Sequence, residues 1–447
     1  MSVQPYDSVV NLTCPFRTAR GQVAASFVRI PSLVHSGGMG FRNGTVAYAR
    51  FRLDGDPPTR LDESVLETLA TNRIRPATIG APPEVEFGWI AGRHVFDERF
   101  DPHEVAFGDR LMIGVRLDTN RVPPEIRRAY RAMAEQELAA SSPTGQISRQ
   151  EKRIAKETAM DRCRSELAEG RYRTSKIVPL LWDLPRRMVL APAMTENAAN
   201  ALRTLFDTCF DARLEPLSAG SLASQFADQR GLNATYEDLK PSSFTAPPAA
   251  ATSEEGLDPR VPVVPWSRSG PEPKDFLGNE FLLWLWHEIE EGSGLIETGP
   301  NAVAMVLDRT LELQCGWDVT GKVVVTADRA CRLPEARTSI KLGKWPRKVG
   351  FVLSVDQESV EGAWQVDRCV VSGVKLPKLD DAQTPRDILE HRVDTIMAVD
   401  DTLMSVYETF LELRMSDRWP THRGRLSSWI GQRASSTPSA KVEVMAG

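Results

Sequence analysis

The chain lacks any long apolar run. The most apolar, Phe281 to Trp286, is six residues, against the roughly 20 that a membrane-spanning helix needs, so no transmembrane helix is expected. Residues Met1 to Pro15 have neither a basic start nor an apolar core. No secretory leader is read there, and the sequons at Asn11, Asn43 and Asn233 carry no expected glycan. The six cysteines (Cys14, Cys163, Cys209, Cys315, Cys331 and Cys369) lie far apart, with no CxxC and no histidine at zinc-finger spacing. That distribution argues against a disulfide framework or a zinc site and for reduced cytoplasmic thiols. Neither GxxxxGK followed by Ser or Thr nor GxSxG occurs, which removes the phosphate-loop and nucleophile-elbow signatures. Lysine is scarce, 12 against 43 arginines. Guanidinium forks suit phosphate, although a GC-rich coding sequence produces the same excess.

What the chain has is an uneven charge distribution. Its 447 residues, 41% hydrophobic, carry a net charge of −5; that length supports about two to four domains or subdomains. Residues 121 to 187 hold fifteen Lys and Arg against nine Asp and Glu, while the rest of the chain holds forty against fifty-one. An acidic protein that gathers its positive charge in one belt points to a polyanionic partner, nucleic acid first.

Periodicity outlines the elements. Thr45 to Leu53, Val85 to Ile90 and Leu111 to Leu117 read as strands, with a helix from Leu61 to Asn72. Pro123 and Pro124 open a helix to about Ala140. After the turn at Pro143 and Gly145, Ser148 with Glu151 makes a capping box for a second helix to Gly170. A hairpin (Ile177 to Leu184, Met188 to Ala193) and a helix from Thr195 to Asp211 follow. Further on, Asn279 to Glu291 is apolar nearly all round, so a helix buried on several sides is expected. Val303 to Leu313, Lys322 to Ala327, Lys348 to Val355 and Gly362 to Val371 read as strands, and Pro385 to about Met415 as a long helix.

The expected class is α+β, with mixed or antiparallel sheets and long helices. Five segments are expected. They are an extension (1–44), an α+β region with the basic helical hairpin (45–220), a partly disordered linker or insertion (221–274), a second α+β region (275–416) and a disordered tail (417–447).

At 100° per residue, Arg149, Lys152, Arg153, Lys156 and Arg164 fall within an arc of about 120°, so they can meet one phosphate backbone together. Met160 and Leu167 share the arc and would dock its C-terminal half against protein; Glu157 and Asp161 border it and would blunt its field. A solvated helix face gives the same pattern. A second cluster spans Arg329 to Lys348, with Arg329, Arg332, Arg337, Lys341, Lys344, Arg347 and Lys348 against Glu335 alone. Trp345 within it either stacks on bases or anchors a loop.

Catalytic patterns are thin. His287 and Glu291 stand at i, i+4, Asp238-Leu239-Lys240 gives half of a nuclease metal site, and Asp380/Asp381 and Asp400/Asp401 are acidic pairs. Each has an ordinary structural reading, so no cofactor or metal is expected.

The order of segments then becomes informative. ARFRL (Ala49 to Leu53), Gly88-Trp89, LMIGVRLDTNRVP (Leu111 to Pro123), the basic helix ending at Lys176, the hairpin Val178 to Ala193 and the strand Leu214 to Leu217 come first. DFLGNEFLLWLW (Asp275 to Trp286), SGVKLPKL (Ser372 to Leu379) and the final ELRMS follow. In that order, over about residues 45 to 416 without the linker, the chain resembles the recombination-associated RdgC family of bacterial nucleoid proteins. The resemblance implies a ring-shaped homodimer enclosing double-stranded DNA without sequence preference, in the cytoplasmic nucleoid, and restraint of RecA-dependent recombination. The family's exonuclease label finds no motif here.

The leading expectation is a non-enzymatic DNA-binding homodimer whose contacts are Arg149, Lys152, Arg153, Lys156 and Arg164 with Lys341, Lys344, Arg347 and Lys348. The alternatives are a metal-dependent DNA exonuclease and a protein-interaction scaffold without DNA binding.

Overall fold

In the computed structural model, residues 40–75, 83–143, 145–248, 251–253, 256–257, 272–292, 294–299, 301–317, 319–355, 358–379 and 384–435 are described. The first part of the chain runs β1 (Val46–Gly55), α1 (Glu63–Thr71), β2 (Val85–Ile90), α2 (Pro102–Val105), β3 (Ala106–Phe107) and β4 (Arg110–Asn120). The paired helices α3 (Pro124–Ser141) and α4 (Arg149–Ala168) come next. They are followed by β5 (Arg173–Asp183), β6 (Met188–Ala191), α5 (Glu196–Phe210) and β7 (Ala212–Pro216). Two helices, α6 (Ala219–Arg230) and α7 (Asn233–Asp238), and a small β8 (Thr252–Ser253) and β9 (Gly256–Leu257) pair precede the second part.

That second part begins with α8 (Phe276–Glu291) and continues through β10 (Leu295–Thr298), β11 (Asn301–Cys315) and β12 (Val323–Ala327). After α9 (Pro334–Lys341) come β13 (Lys344–Val355), β14 (Glu358–Gln365) and β15 (Val370–Lys375). Then α10 (Pro385–Arg414) and α11 (Trp419–Ser435) close the described chain.

The strands join in one antiparallel sheet, ordered β10-β11-β13-β14-β15-β1-β6-β5-β4-β2, with β12, β3 and β7 paired off that path. The fold is therefore α+β, as composition and periodicity indicate. Its seam is β1 against β15, with Val46 opposite Val374. The two α+β regions expected on either side of a linker thus share one sheet, and the described residues form one compact unit.

Strand alternation sorts the core into two layers. Val46 and Tyr48 of β1, Met112 of β4, Leu181 of β5 and Leu190 of β6 belong to one apolar cluster. Phe51, Leu53, Ile113, Leu180, Trp182 and Val189 belong to the other. The first cluster continues into the second part of the chain and takes in α6, α8, α10 and α11. The second is closed by α1 and α5.

As expected, α8 is buried nearly all round, from Phe276 to Trp286. Its two polar members have partners, although the Asn279 side-chain oxygen is buried without one among the described residues. Glu280 meets Arg414 at 2.6 Å, and the Asn279 side chain donates to the Pro346 carbonyl at 3.3 Å. Gly278 is needed there, because a Cβ would stand 2.6 Å from the Asp367 backbone nitrogen.

Three expectations need correction. Residues 221–248 are not loose linker: α6 and α7 are helical, and Phe244 packs against Trp345 and Trp419. Residues 417–435 are not a disordered tail, because α11 buries Trp419, Leu426, Trp429 and Ile430 in the core; residues 436–447 lie outside the described set. The single strand Gly362 to Val371 is two strands broken by a 3-10 turn, Val366 to Arg368, with Cys369 at φ 48°. The acidic pair Asp380/Asp381 and all but Gly40 to Gly44 of the expected N-terminal extension fall outside the described residues.

Candidate nucleic-acid interface

Helices α3 and α4 form an arm. They interrupt a ladder in which β4 and β5 pair along their whole length, from Arg110 opposite Asp183 to Asn120 opposite Arg173. The arm therefore leaves the sheet at one edge between adjacent strand ends. Of the eighteen residues of α3 only Ala134 is buried, and of the twenty of α4 only Ala155, Ala159, Cys163 and Glu166, so the helices pack on each other through a seam of small residues. At 1.5 Å per residue, α4 is about 30 Å long.

Local chemistry sets its ends. Pro124 starts α3, and Ser148 and Glu151 form the capping box of α4, the Ser148 N–H donating to Glu151 at 2.6 Å and the Glu151 N–H to Ser148 Oγ at 3.2 Å.

At the base of the arm, the Glu166 carboxylate accepts from the hydroxyls of Tyr130 (2.6 Å) and Tyr172 and from Arg171 (2.7 Å). These bonds hold the Glu166 carboxyl below its ordinary range, the Tyr130 and Tyr172 hydroxyls contributing most. Asn120 donates to the Leu167 carbonyl at 2.8 Å, and Arg162 lies over the Tyr130 ring at 4.1 Å.

All five cations expected on α4 are exposed. Arg153 pairs with Glu157 at 3.2 Å and Arg164 with Asp161 at 2.9 Å, exposed pairs that a partner's phosphate would compete with. Arg149, Lys152 and Lys156 make no ion pair among the described residues. Met160, expected to dock against protein, is instead 39% exposed in the middle of the arc, and Ile154 and Met133 are also exposed on the arm; Leu167 is half-buried. Arg127, on α3, is exposed and forms no ion pair among the described residues. Sequence reasoning passed over it because only α4 shows a cationic stripe.

The second cluster divides. Lys341 is exposed at the end of α9, and Lys348 is half-exposed on β13. Lys344 donates to the Gly321 carbonyl at 2.7 Å. Arg347 is committed inward: it meets Asp367 at 3.1 Å and donates to Gln314. Burial pushes the Asp367 carboxyl up against the pull of that guanidinium. Trp345 is 1% exposed and edges Phe244 at 5.6 Å, so it anchors the core and has no face for bases.

The two clusters are also far apart. Six antiparallel steps separate β4 from β13, so these strands run in the same sense. The arm leaves the C-terminal end of β4, whereas Lys344 begins β13, at the opposite edge and about 30 Å away along the sheet.

The acidic candidates are occupied structurally. Asp400 is buried against Arg50 at 2.7 Å and Asp401 meets Arg186 at 2.6 Å. A cleft of about 560 Å³ beside α10 contains Asp109, Asp183, Glu390 and Asp394, but Arg110 already bridges Asp183 (3.3 Å) and Asp394 (2.9 Å). His287 bonds Glu288 at 3.0 Å and edges Trp429. Asp238 and Lys240 are exposed at the end of α7. Among the described residues no three His, Cys, Asp or Glu side chains are grouped to hold a metal ion, and no helix is long and apolar enough to cross a membrane. Comparison with protein-family models finds no matching family, and no curated protein matches the chain.

Proposed function

We propose that the protein is a non-enzymatic, sequence-independent binder of double-stranded DNA that acts on the bacterial nucleoid as a homodimer and modulates RecA-dependent recombination. The observation that carries the DNA reading is the projecting arm, whose cations Arg149, Lys152 and Lys156 share one exposed face without internal carboxylate partners. Such a face, two lysine point charges and one guanidinium, suits phosphates spaced along a duplex. Lys341 and Lys348 supply a second, smaller contact, and Arg347 leaves the contact set. Two copies would present two arms, which is how a dimer could track a duplex. The recombination role rests on the segment order resembling the RdgC family alone.

The test is a salt titration of binding to random-sequence duplex, run beside a mass measurement of the oligomer. Each lost phosphate contact lowers the slope of log K against log salt by about 0.9. Charge reversal of Lys152, Arg153 and Lys156 together is expected to flatten it by about two to three. An unchanged slope removes the arm from the interface. Undetectable binding of the unmodified chain at about 50 mM salt, where phosphate contacts are strong, ends the DNA reading.

A further inference from the structure

Away from the arm, the connection between β12 and α9 builds a different kind of site. A pocket of about 200 Å³ opens between α8, β11 and this connection. Its walls are apolar: Trp286, Ile289, Leu307 and Cys331, with half-exposed Val306 at the rim. Arg329 and Arg332 also line it. The chain between them is a 3-10 turn, Ala330 to Arg332, closed by the Arg332 N–H on the Arg329 carbonyl at 2.8 Å. Arg329 precedes the turn in the left-handed region at φ 53°; both arginines are exposed and line the pocket, while Ala330 and Cys331 are buried.

Neither arginine makes an ion pair among the described residues. Glu290 is the one acid in the lining and is engaged in a contact of its own; Asp308, next to Leu307, accepts from the Arg329 backbone N–H.

We propose that this pocket binds a small amphipathic carboxylate: an apolar body within the Trp286, Ile289, Leu307 and Cys331 walls, and a carboxylate head held by Arg329 and Arg332. The volume sets the body. An apolar cavity of about 150 Å³ admits benzene, so about six to eight carbons fit here. The guanidinium fork sets the head, because paired N–H donors match the two oxygens of a carboxylate. A nucleic-acid backbone has no apolar body to fill the pocket, so this site is separate from the proposed DNA interface and stands without it.

Titration calorimetry on the full chain with hexanoate, hexan-1-ol and acetate tests the idea. Hexanoate is expected to bind with a dissociation constant on the order of 1 mM. Hexanol, lacking the charge, and acetate, lacking the body, should each bind at least about tenfold more weakly. The double variant Arg329→Gln/Arg332→Gln should lose hexanoate by about tenfold or more; both side chains are exposed, so an unchanged melting temperature confirms an intact fold. Hexanol binding as tightly as hexanoate, an unaltered affinity in the double variant, or no hexanoate heat up to about 10 mM each overturns the proposal.

Discussion

At the scale of single residues, a few buried polar contacts tie distant parts of the chain together. Arg50 of β1 and Asp400 of α10 are 350 positions apart in sequence and 2.7 Å apart in the fold, with the Asp400 side chain fully buried. Burial pushes the Asp400 carboxyl up against the pull of Arg50. On Arg50 burial is the largest effect and lowers, but Asp400 together with Cys369, Tyr48 and Asp401 raises it overall. The two directions disagree about how much charge the pair keeps. The 2.7 Å contact is that of a charge-assisted bond, and the ionised pair is the reading that accounts for it near neutrality. Removing one partner strands the other, so Asp400→Ala should cost about 3–5 kcal/mol in urea unfolding. Replacing both, as Arg50→Met/Asp400→Leu, should cost much less, because no buried charge is left unpaired. Equal losses in the single and double variants would show that packing, not the stranded charge, sets the cost. Gly278 acts at the same scale without charge: it lets α8 pass the Asp367 backbone at a distance no side chain permits.

At the scale of elements, the arm depends on Glu166. Its carboxyl sits below its ordinary range in the folded arm, where the hydroxyls of Tyr130 and Tyr172 donate to it. A depressed carboxyl contributes stability above its unfolded value, about 4.3, and loses it as pH falls through the folded value. Hydrogen exchange of the α3 and α4 amides, corrected for intrinsic rate, should therefore quicken below about pH 4 relative to the sheet. Glu166→Gln should be faster at pH 6 and lose most of that pH dependence; an arm equally protected at both pH values in both proteins would contradict this.

The start of α4 was legible in the sequence because capping is local: Ser148 and Glu151 lie three positions apart. The arm's charge was legible for the same reason. The inward turn of Arg347 was not, since Asp367 and Gln314 lie 20 and 33 positions away. Nor was α11, whose Trp429 gains its burial from Trp286 of α8. The break between β14 and β15 was hidden because it has no Gly, Pro or Asn to mark it, only Val366, Asp367, Arg368 and left-handed Cys369. For β1, β2, β4, β5 and β6 the pattern was enough, because each face has its own apolar layer, whereas the two-residue β3 was too short to show one.

At the scale of the whole molecule, the question is whether the two halves of the sheet behave as one. Three links join them. The β1 and β15 strands pair at the seam. Helix α10 reaches across it, with Arg386 donating to the Ala106 carbonyl at 2.6 Å, Arg392 to the Phe41 carbonyl at 2.9 Å and Arg110 meeting Asp394 at 2.9 Å. One apolar cluster holds Tyr48, Met112 and Leu190 together with Phe281, Trp364 and Phe410. No half can open without exposing that cluster, so urea should unfold the halves in a single transition. Tryptophan fluorescence weights the second half, which holds Trp284, Trp286, Trp317, Trp345, Trp364, Trp419 and Trp429 against Trp89 and Trp182 in the first. The first is followed by exchange of the β4 and β5 amides. The two midpoints should coincide, and Phe410→Ala, which empties a site ringed by Phe281, Trp284, Tyr407 and Trp419, should lower both together by about 3–5 kcal/mol of stability. If Phe410→Ala moved only the fluorescence transition and left β4 and β5 protected, the halves would be separable units, and the arm on the first half would report nothing about the pocket on the second.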